Sequence, residues 1–177
     1  YLFLALPFTM IACLFLGMGV PTTAQYIIIT SLVAPALVDM GVLAIAAHLF
    51  ILYFGTRADI TPPVALAAFA AASIAKASAM KIGFKATQIA IAGFVVPFMA
   101  VYDPALMLQG DPTVLAVAYI VFKATLAIYL WGSAAIGYLW APLNLVERAV
   151  AAGAAFALVV ALPVTDELGF AAAVVFI

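Results

Sequence analysis

The sequence predicts an all-α membrane protein, a polytopic helical bundle holding a re-entrant hairpin and a discontinuous helix. Composition sets the class: 70% of the 177 residues are hydrophobic and only 7% are charged. A soluble domain carries about 25% charged residues, and no aqueous fold covers this much apolar surface. Two interruptions set the architecture. Gly17-Met18-Gly19-Val20-Pro21-Thr22-Thr23 and Gly55-Thr56-Arg57-Ala58-Asp59-Ile60-Thr61-Pro62-Pro63 each break a long apolar run with glycine, proline and hydroxyl residues. Hydrocarbon cannot hydrogen-bond the backbone that such breaks release. Non-helical chain at membrane depth therefore survives only where protein encloses it or it lines a watery cavity.

Residues 1–38 contain no charged side chain. As one helix they would run about 57 Å at 1.5 Å per residue, against a hydrocarbon core of roughly 30 Å. Two half-length helices folded back at a tip over 17–23 resolve the excess, and Asp39-Met40-Gly41 closes this re-entrant hairpin at the surface. Pro7 and Pro35 fall within its arms and are expected to kink them.

Residues 42–80 are again too long for one straight crossing. Asp39 stands before them, and Lys76, Lys81 and Lys85 stand at their far end. Lysines near membrane ends mark the cytoplasmic face. The segment is therefore expected to cross once, in two halves (42–55 and 64–80), with its break over 55–63. Residues 84–102 run back outward to an acidic, base-free loop over 103–113. Residues 114–139 return inward, ending among the interfacial aromatics Trp131, Tyr138 and Trp140; Lys123 within this helix either snorkels or faces protein. Pro142 and Glu147-Arg148 mark the cytoplasmic surface. Residues 147–177 hold further apolar segments, of which 149–162 is ended by Pro163-Val164-Thr165-Asp166-Glu167-Leu168-Gly169. The chain opens on Tyr1 inside an apolar run, without the charged start and cleavage site of a signal peptide, and stops equally abruptly. The expectation is a fragment of a larger chain whose earlier, related half is missing.

Paired Gly/Pro-interrupted apolar segments point to the binding site of a secondary transporter. The second half of a broken helix offers unpaired N–H groups and a positive dipole end to an anion; the first half offers carbonyls to a small hard cation. The metal candidates, for Na⁺, are Gly17, Thr22, Gly55, Thr56, Asp59 and Thr61, since such cations take oxygen ligands. The substrate-binding candidates are Gly19, Pro21, Thr22, Thr23, Arg57, Pro62 and Pro63. Glycines allow close backbone approach, and prolines suit the first turn of the second half-helix. Arg57 has the planar fork to clamp a carboxylate, and Asp59 can bind a cation; alternatively the two pair and merely hold the loop. Thr9, Thr30, Thr87 and Thr125 are read as back-bonding to their own helices. His48 is read first as a hydrogen-bonded structural residue and second as a protonation site. Phe50, Tyr53 and Phe54 read as packing, and the alanine-rich tract 65–77 as close helix contact. The net charge of −1 leaves no basic patch for nucleic acid. Lone Cys13 can form no intrachain disulfide. No zinc spacing, nucleophile elbow, phosphate loop or dinucleotide fingerprint is present, so an intramembrane enzyme is disfavoured and no catalytic residue is assigned.

At Gly17-Met18-Gly19-Val20-Pro21-Thr22-Thr23-Ala24-Gln25-Tyr26 and Asp59-Ile60-Thr61-Pro62-Pro63-Val64-Ala65-Leu66 the sequence resembles the large membrane subunit of the TRAP (tripartite ATP-independent periplasmic) transporters, specifically the fused TAXI-type permeases, in its C-terminal part. Similarity continues through Ala47-His48-Leu49-Phe50, Phe94-Val95-Val96-Pro97-Phe98, Tyr102-Asp103-Pro104-Ala105-Leu106 and Glu147-Arg148. The resemblance implies an elevator-type fold of the ion-transporter superfamily built of inverted repeats, in the inner membrane. It implies Na⁺ as coupling ion without another cofactor, and a carboxylate-bearing organic-acid substrate. It also implies a periplasmic solute-binding protein as partner and a small membrane subunit fused in the full chain. Arg57 stands where that family is expected to carry a small or apolar residue. The function expected is Na⁺-coupled solute uptake. A proton-coupled carrier using Asp59 or His48, and a purely structural subunit, are the alternatives.

Overall fold

The computed structural model describes residues 1–160 and 163–176, and among these the chain is helical, with turns and no β-strand. It is an all-α membrane protein: Thr22–Asp39, Ala79–Tyr102 and Val114–Ile136 are each long and apolar enough to cross a bilayer. Leu2–Leu16 and Leu66–Ala75 are shorter apolar helices. The chain divides into two compact units, the first ending at Ala90 and the second starting at Ile91.

The first unit contains α1 (Leu2–Leu16), α2 (Thr22–Asp39), α3 (Ala44–Arg57), α4 (Leu66–Ala75) and α5 (Ala79–Ala90). Pro7 lies inside α1 and Pro35 inside α2. The tip between α1 and α2 is non-helical only over 17–21, since Thr22 and Thr23 already form the first turn of α2 behind Pro21. The α2 C-terminus is closed by a Schellman motif: Val42 N–H donates to the Leu37 carbonyl and Gly41 N–H to that of Val38. Gly41 supplies the positive φ of +93° that this cap needs. The chain returns as α3, which packs against both α1 and α2 through buried Ala46, Ala47, Phe50, Ile51 and Phe54.

The second interruption is narrower than 55–63. Gly55, Thr56 and Arg57 remain in α3, and Ala58–Ile60 continue it as one tight turn. A glycine alone does not break a helix whose neighbours satisfy its backbone. Pro62 does, because it lacks an N–H and pushes the residue before it out of helical space; Thr61 is extended at φ −97°, ψ 121°. The prolines precede α4 instead of occupying its first turn, and Ala65 enters α4 left-handed at φ 38°. α4 stops at Ala75, and α5 begins at Ala79, ahead of the expected start at 84. The α4–α5 hairpin packs closely.

The second unit contains a tight turn over Ile91–Phe94, α6 (Val95–Tyr102), a single turn at Pro104–Met107, α7 (Val114–Ile136), α8 (Leu145–Val160) and α9 (Pro163–Phe176). Its core gathers Met99, Ile120, Ala127, Leu130, Ala155 and Leu158. α7 ends at Ile136, short of 139, with Gly137 left-handed at φ 80°. The Arg148 Nε donates to the Ala134 carbonyl (2.7 Å), relieving an orphan at that helix end. α8 opens on a reciprocal capping box: Glu147 N–H donates to Asn144 Oδ1 (2.9 Å) and Asn144 N–H to Glu147 Oε2 (2.8 Å). Pro163–Gly169 is not a terminating loop but the opening of α9; proline suits the first helical position and an acid in the first turn suits the dipole. Of the expected segments, 161, 162 and 177 lie outside the described residues.

Lys123, inside α7, faces protein. It is 2% exposed, and its Nζ lies 2.6 Å from Asp166 Oδ1 and donates to Oδ2 at 2.8 Å. Tyr119 Oη also donates to Oδ2, at 3.0 Å.

Candidate functional site

Within the first unit the two interruptions meet. Gly17 is buried at the end of α1, and a Cβ there would stand 2.9 Å from the Ala58 Cβ and 2.9 Å from the Gly55 carbonyl oxygen. That clearance admits hydrogen and nothing larger. Gly19, left-handed at φ +75°, faces the Val64 side chain. The glycines of the tip thus serve two purposes: close approach at Gly17 and turn geometry at Gly19.

Gly55, read from the sequence as part of the break, is a packing glycine. The Gln25 side-chain amide lies over its Cα, in the volume a Cβ would need. Gln25 is 3% exposed and was not among the residues singled out. A solitary amide in the apolar run 22–38 is the signal that marks it, because a buried polar side chain needs a polar surrounding.

α5 closes the other side of the break. Buried Gly83 faces Pro62, Ala65 and Phe69, with 3.0 Å between a Cβ there and Pro62 Cγ. Thr87 Oγ1 donates to its own helix at Gly83 (3.0 Å), as its spacing suggested, and also reaches the Ile60 carbonyl at 3.1 Å. Thr30 and Thr125 bond back to their helices as expected.

The candidate ligands distribute as follows. Thr56 Oγ1 donates to the Tyr53 carbonyl (2.8 Å) and Thr61 Oγ1 to the Arg57 carbonyl (2.8 Å), so each hydroxyl spends its proton locally and keeps its oxygen lone pairs for an acceptor's role. Thr22 is half-buried and Thr23 exposed in the first turn of α2; Pro62 is half-buried and Pro63 exposed. Neither α2 nor α4 carries a side-chain cap at its start, so the leading N–H groups of both are open to an anion.

Arg57 and Asp59 do not pair; among the described residues the single ion pair is Lys123–Asp166. The Arg57 guanidinium instead lies over the Tyr53 ring, 4.6 Å from its centroid, and Nη2 donates to Tyr53 Oη at 3.1 Å. Its Nε is buried and has no hydrogen-bond partner among the described residues. Tyr53 also meets Phe54 edge-on at 5.4 Å, so a residue read as packing holds the site's cation. His48 Nδ1 is hydrogen-bonded to Tyr26 Oη at 2.8 Å. No group of three or more His, Cys, Asp or Glu side chains is assembled among the described residues. Any cation held here would therefore take carbonyl and hydroxyl oxygens with at most an isolated carboxylate.

The family model for the tripartite ATP-independent periplasmic transporter, DctM component, matches residues 2–111. The chain belongs to this family. Comparison with curated proteins and with solved structures returned no match. The matched residues contain both interruptions, α5 and the Gly17–Gly55 contact. This DctM chain is thus a multi-pass permease component of a TRAP transporter.

Proposed function

We propose that this permease component couples Na⁺ entry to uptake of a carboxylate-bearing organic acid across the inner membrane. A periplasmic solute-binding protein delivers the acid, in a TAXI-type assembly whose small membrane subunit is fused in the full chain. The observation that carries the reading is the meeting of tip and break: Gly17 lies against Gly55 and Ala58 at the end of α3, and Gly19 faces Val64 in the non-helical stretch that follows. Backbone carbonyls and hydroxyls of the two stretches suit a hard cation. The uncapped starts of α2 and α4 and the unpaired Arg57 Nε suit an acid. Arg57, in this reading, sets the preference for the substrate's charge.

The test is uptake by the full-length transporter in proteoliposomes, with its binding protein, for Thr22→Ala, Asp59→Asn and Thr61→Ala. At least one variant is expected to shift the Na⁺ concentration for half-maximal uptake several-fold. Unaltered Na⁺ dependence in all three removes the reading.

The alternative is proton coupling through His48 or Asp59, although the His48–Tyr26 hydrogen bond is what the structural reading of His48 expects. Uptake driven by a pH gradient without Na⁺, abolished in His48→Gln or Asp59→Asn, identifies it.

A further inference from the structure

α5 has two faces with different tasks. Gly83 and Thr87 turn inward, onto Pro62 and the Ile60 carbonyl. Lys81 and Lys85 stand two residues either side of Gly83, about 200° around the helix at roughly 100° per residue. Both are exposed, as is Lys76 in the turn that precedes α5. Half of the chain's six Lys and Arg residues therefore fall between 76 and 85, and no Asp or Glu occurs from 60 to 102. Among the described residues none of the three lysines belongs to an ion pair; Lys85 donates to the Gln88 side chain, at 2.9 Å. Apolar side chains flank them: Phe84 is 62% exposed, Met80 42% and Ile74 85%. The cluster stands at the start of the candidate span Ala79–Tyr102, and the end of a span is where headgroups meet a helix.

Lys81 and Lys85, one helical turn apart, and Lys76 nearby in the chain are like charges that repel unless counter-charge arrives, and among the described residues none is paired with them. The exposed apolar side chains beside them fit an acyl chain. We propose that Lys76, Lys81 and Lys85, with Phe84 and Met80, form a binding site for the phosphate headgroup of an anionic phospholipid in the leaflet at this end of the span. Lysine serves here as a flexible point charge for phosphate, and juxtamembrane basic clusters draw anionic lipid. The bound lipid sits on the reverse side of the helix that supports the break.

The experiment uses the full-length transporter in detergent and measures retention of phosphatidylglycerol or cardiolipin against phosphatidylcholine by native mass spectrometry. The comparison variants are Lys76→Gln/Lys81→Gln/Lys85→Gln and the matching triple arginine variant. Wild type is expected to prefer anionic lipid, the glutamine variant to lose on the order of 100-fold in that preference, and the arginine variant to keep it. Raising salt to about 0.5 M, where the Debye length falls to about 4 Å, is expected to strip the lipid from wild type. Equal retention of zwitterionic lipid, salt-insensitive binding, or full retention by the glutamine variant overturns the proposal. Displacement of the lipid by inorganic phosphate with equal affinity also overturns it, because the acyl contact then contributes nothing. Should the glutamine variant fail to fold, the salt titration and the arginine variant decide. Lipid binding is read without transport, so its failure leaves the ion-coupling reading untouched.

Discussion

The Gln25 amide occupies the space above the Gly55 Cα, so the start of α2 and the end of α3 touch through one side chain and one absent side chain. Gly55→Ala must displace that amide. Overpacking of this kind costs about 1–3 kcal/mol and is expected to lower the melting temperature in detergent. Gln25→Ala alone opens a void and strands nothing charged. The double variant is expected to be more stable than the sum of the two single losses, because each substitution removes the other's conflict. Strict additivity in thermal melts would show that the two residues are not in contact.

The Arg57–Tyr53 pair separates charge from positioning. Tyr53→Phe keeps the ring beneath the guanidinium but removes the oxygen accepting from Nη2. Arg57→Lys keeps the charge but loses the planar fork and the stack. If Arg57 meets a substrate carboxylate, Arg57→Gln removes a charged hydrogen bond, about 1.5–3 kcal/mol, and raises the KM for uptake roughly 10- to 100-fold. Tyr53→Phe is expected to raise it only a few-fold, with lysine between. Substrate affinity that ignores Arg57→Gln assigns Arg57 to holding the loop alone.

Both interruptions are visible in the sequence because proline and clustered glycine have few uses in an apolar helix. Their boundaries are less visible. Pro62 ends α3's influence at Thr61, yet Gly55 carries no mark telling a packing glycine from a breaking one; only the amide across from it does so. Lys123 declares itself as costly, but its partner Asp166 is 43 residues away in a stretch that reads as a loop when Pro163 is taken as a stop instead of a start. Asn144-Leu-Val-Glu147, by contrast, has the local spacing of a capping box, a signal that reading Glu147-Arg148 only as a surface marker passed over. Thr87 was read correctly as a back-bonding threonine, but its second acceptor, Ile60, belongs to a segment that no local pattern places beside it.

The Lys123–Asp166 pair yields an asymmetric set of expectations. Lys123→Met removes the cation from the partly buried Asp166 carboxylate and leaves Tyr119 as its side-chain donor among the described residues. Breaking one side of a buried pair costs about 3–5 kcal/mol, whereas replacing both with apolar groups is often neutral. Lys123→Met and Asp166→Leu are each expected to destabilise α9 against α7, seen as earlier melting or faster hydrogen exchange in 163–176. Lys123→Met/Asp166→Leu is expected to recover most of the loss. A double variant as unstable as either single would mean that the pair supplies something beyond mutual neutralisation.

Gly17 offers the sharpest test of the join between tip and break. A methyl there meets the Ala58 Cβ at 2.9 Å, the Gly55 carbonyl at 2.9 Å and the Cys13 carbonyl at 3.0 Å. Two of the three obstacles are backbone, so rotamer changes offer no escape and the tip must move away from α3. Ala58→Gly removes one obstacle and leaves both carbonyls. Gly17→Ala is therefore expected to abolish substrate-coupled uptake, and Gly17→Ala/Ala58→Gly to restore little of it. The same Ala58→Gly change made alone should keep most activity, because it only removes a methyl from the contact. Full rescue by Ala58→Gly would place the obstruction in the side chain and release the backbone of the break from any part in the site.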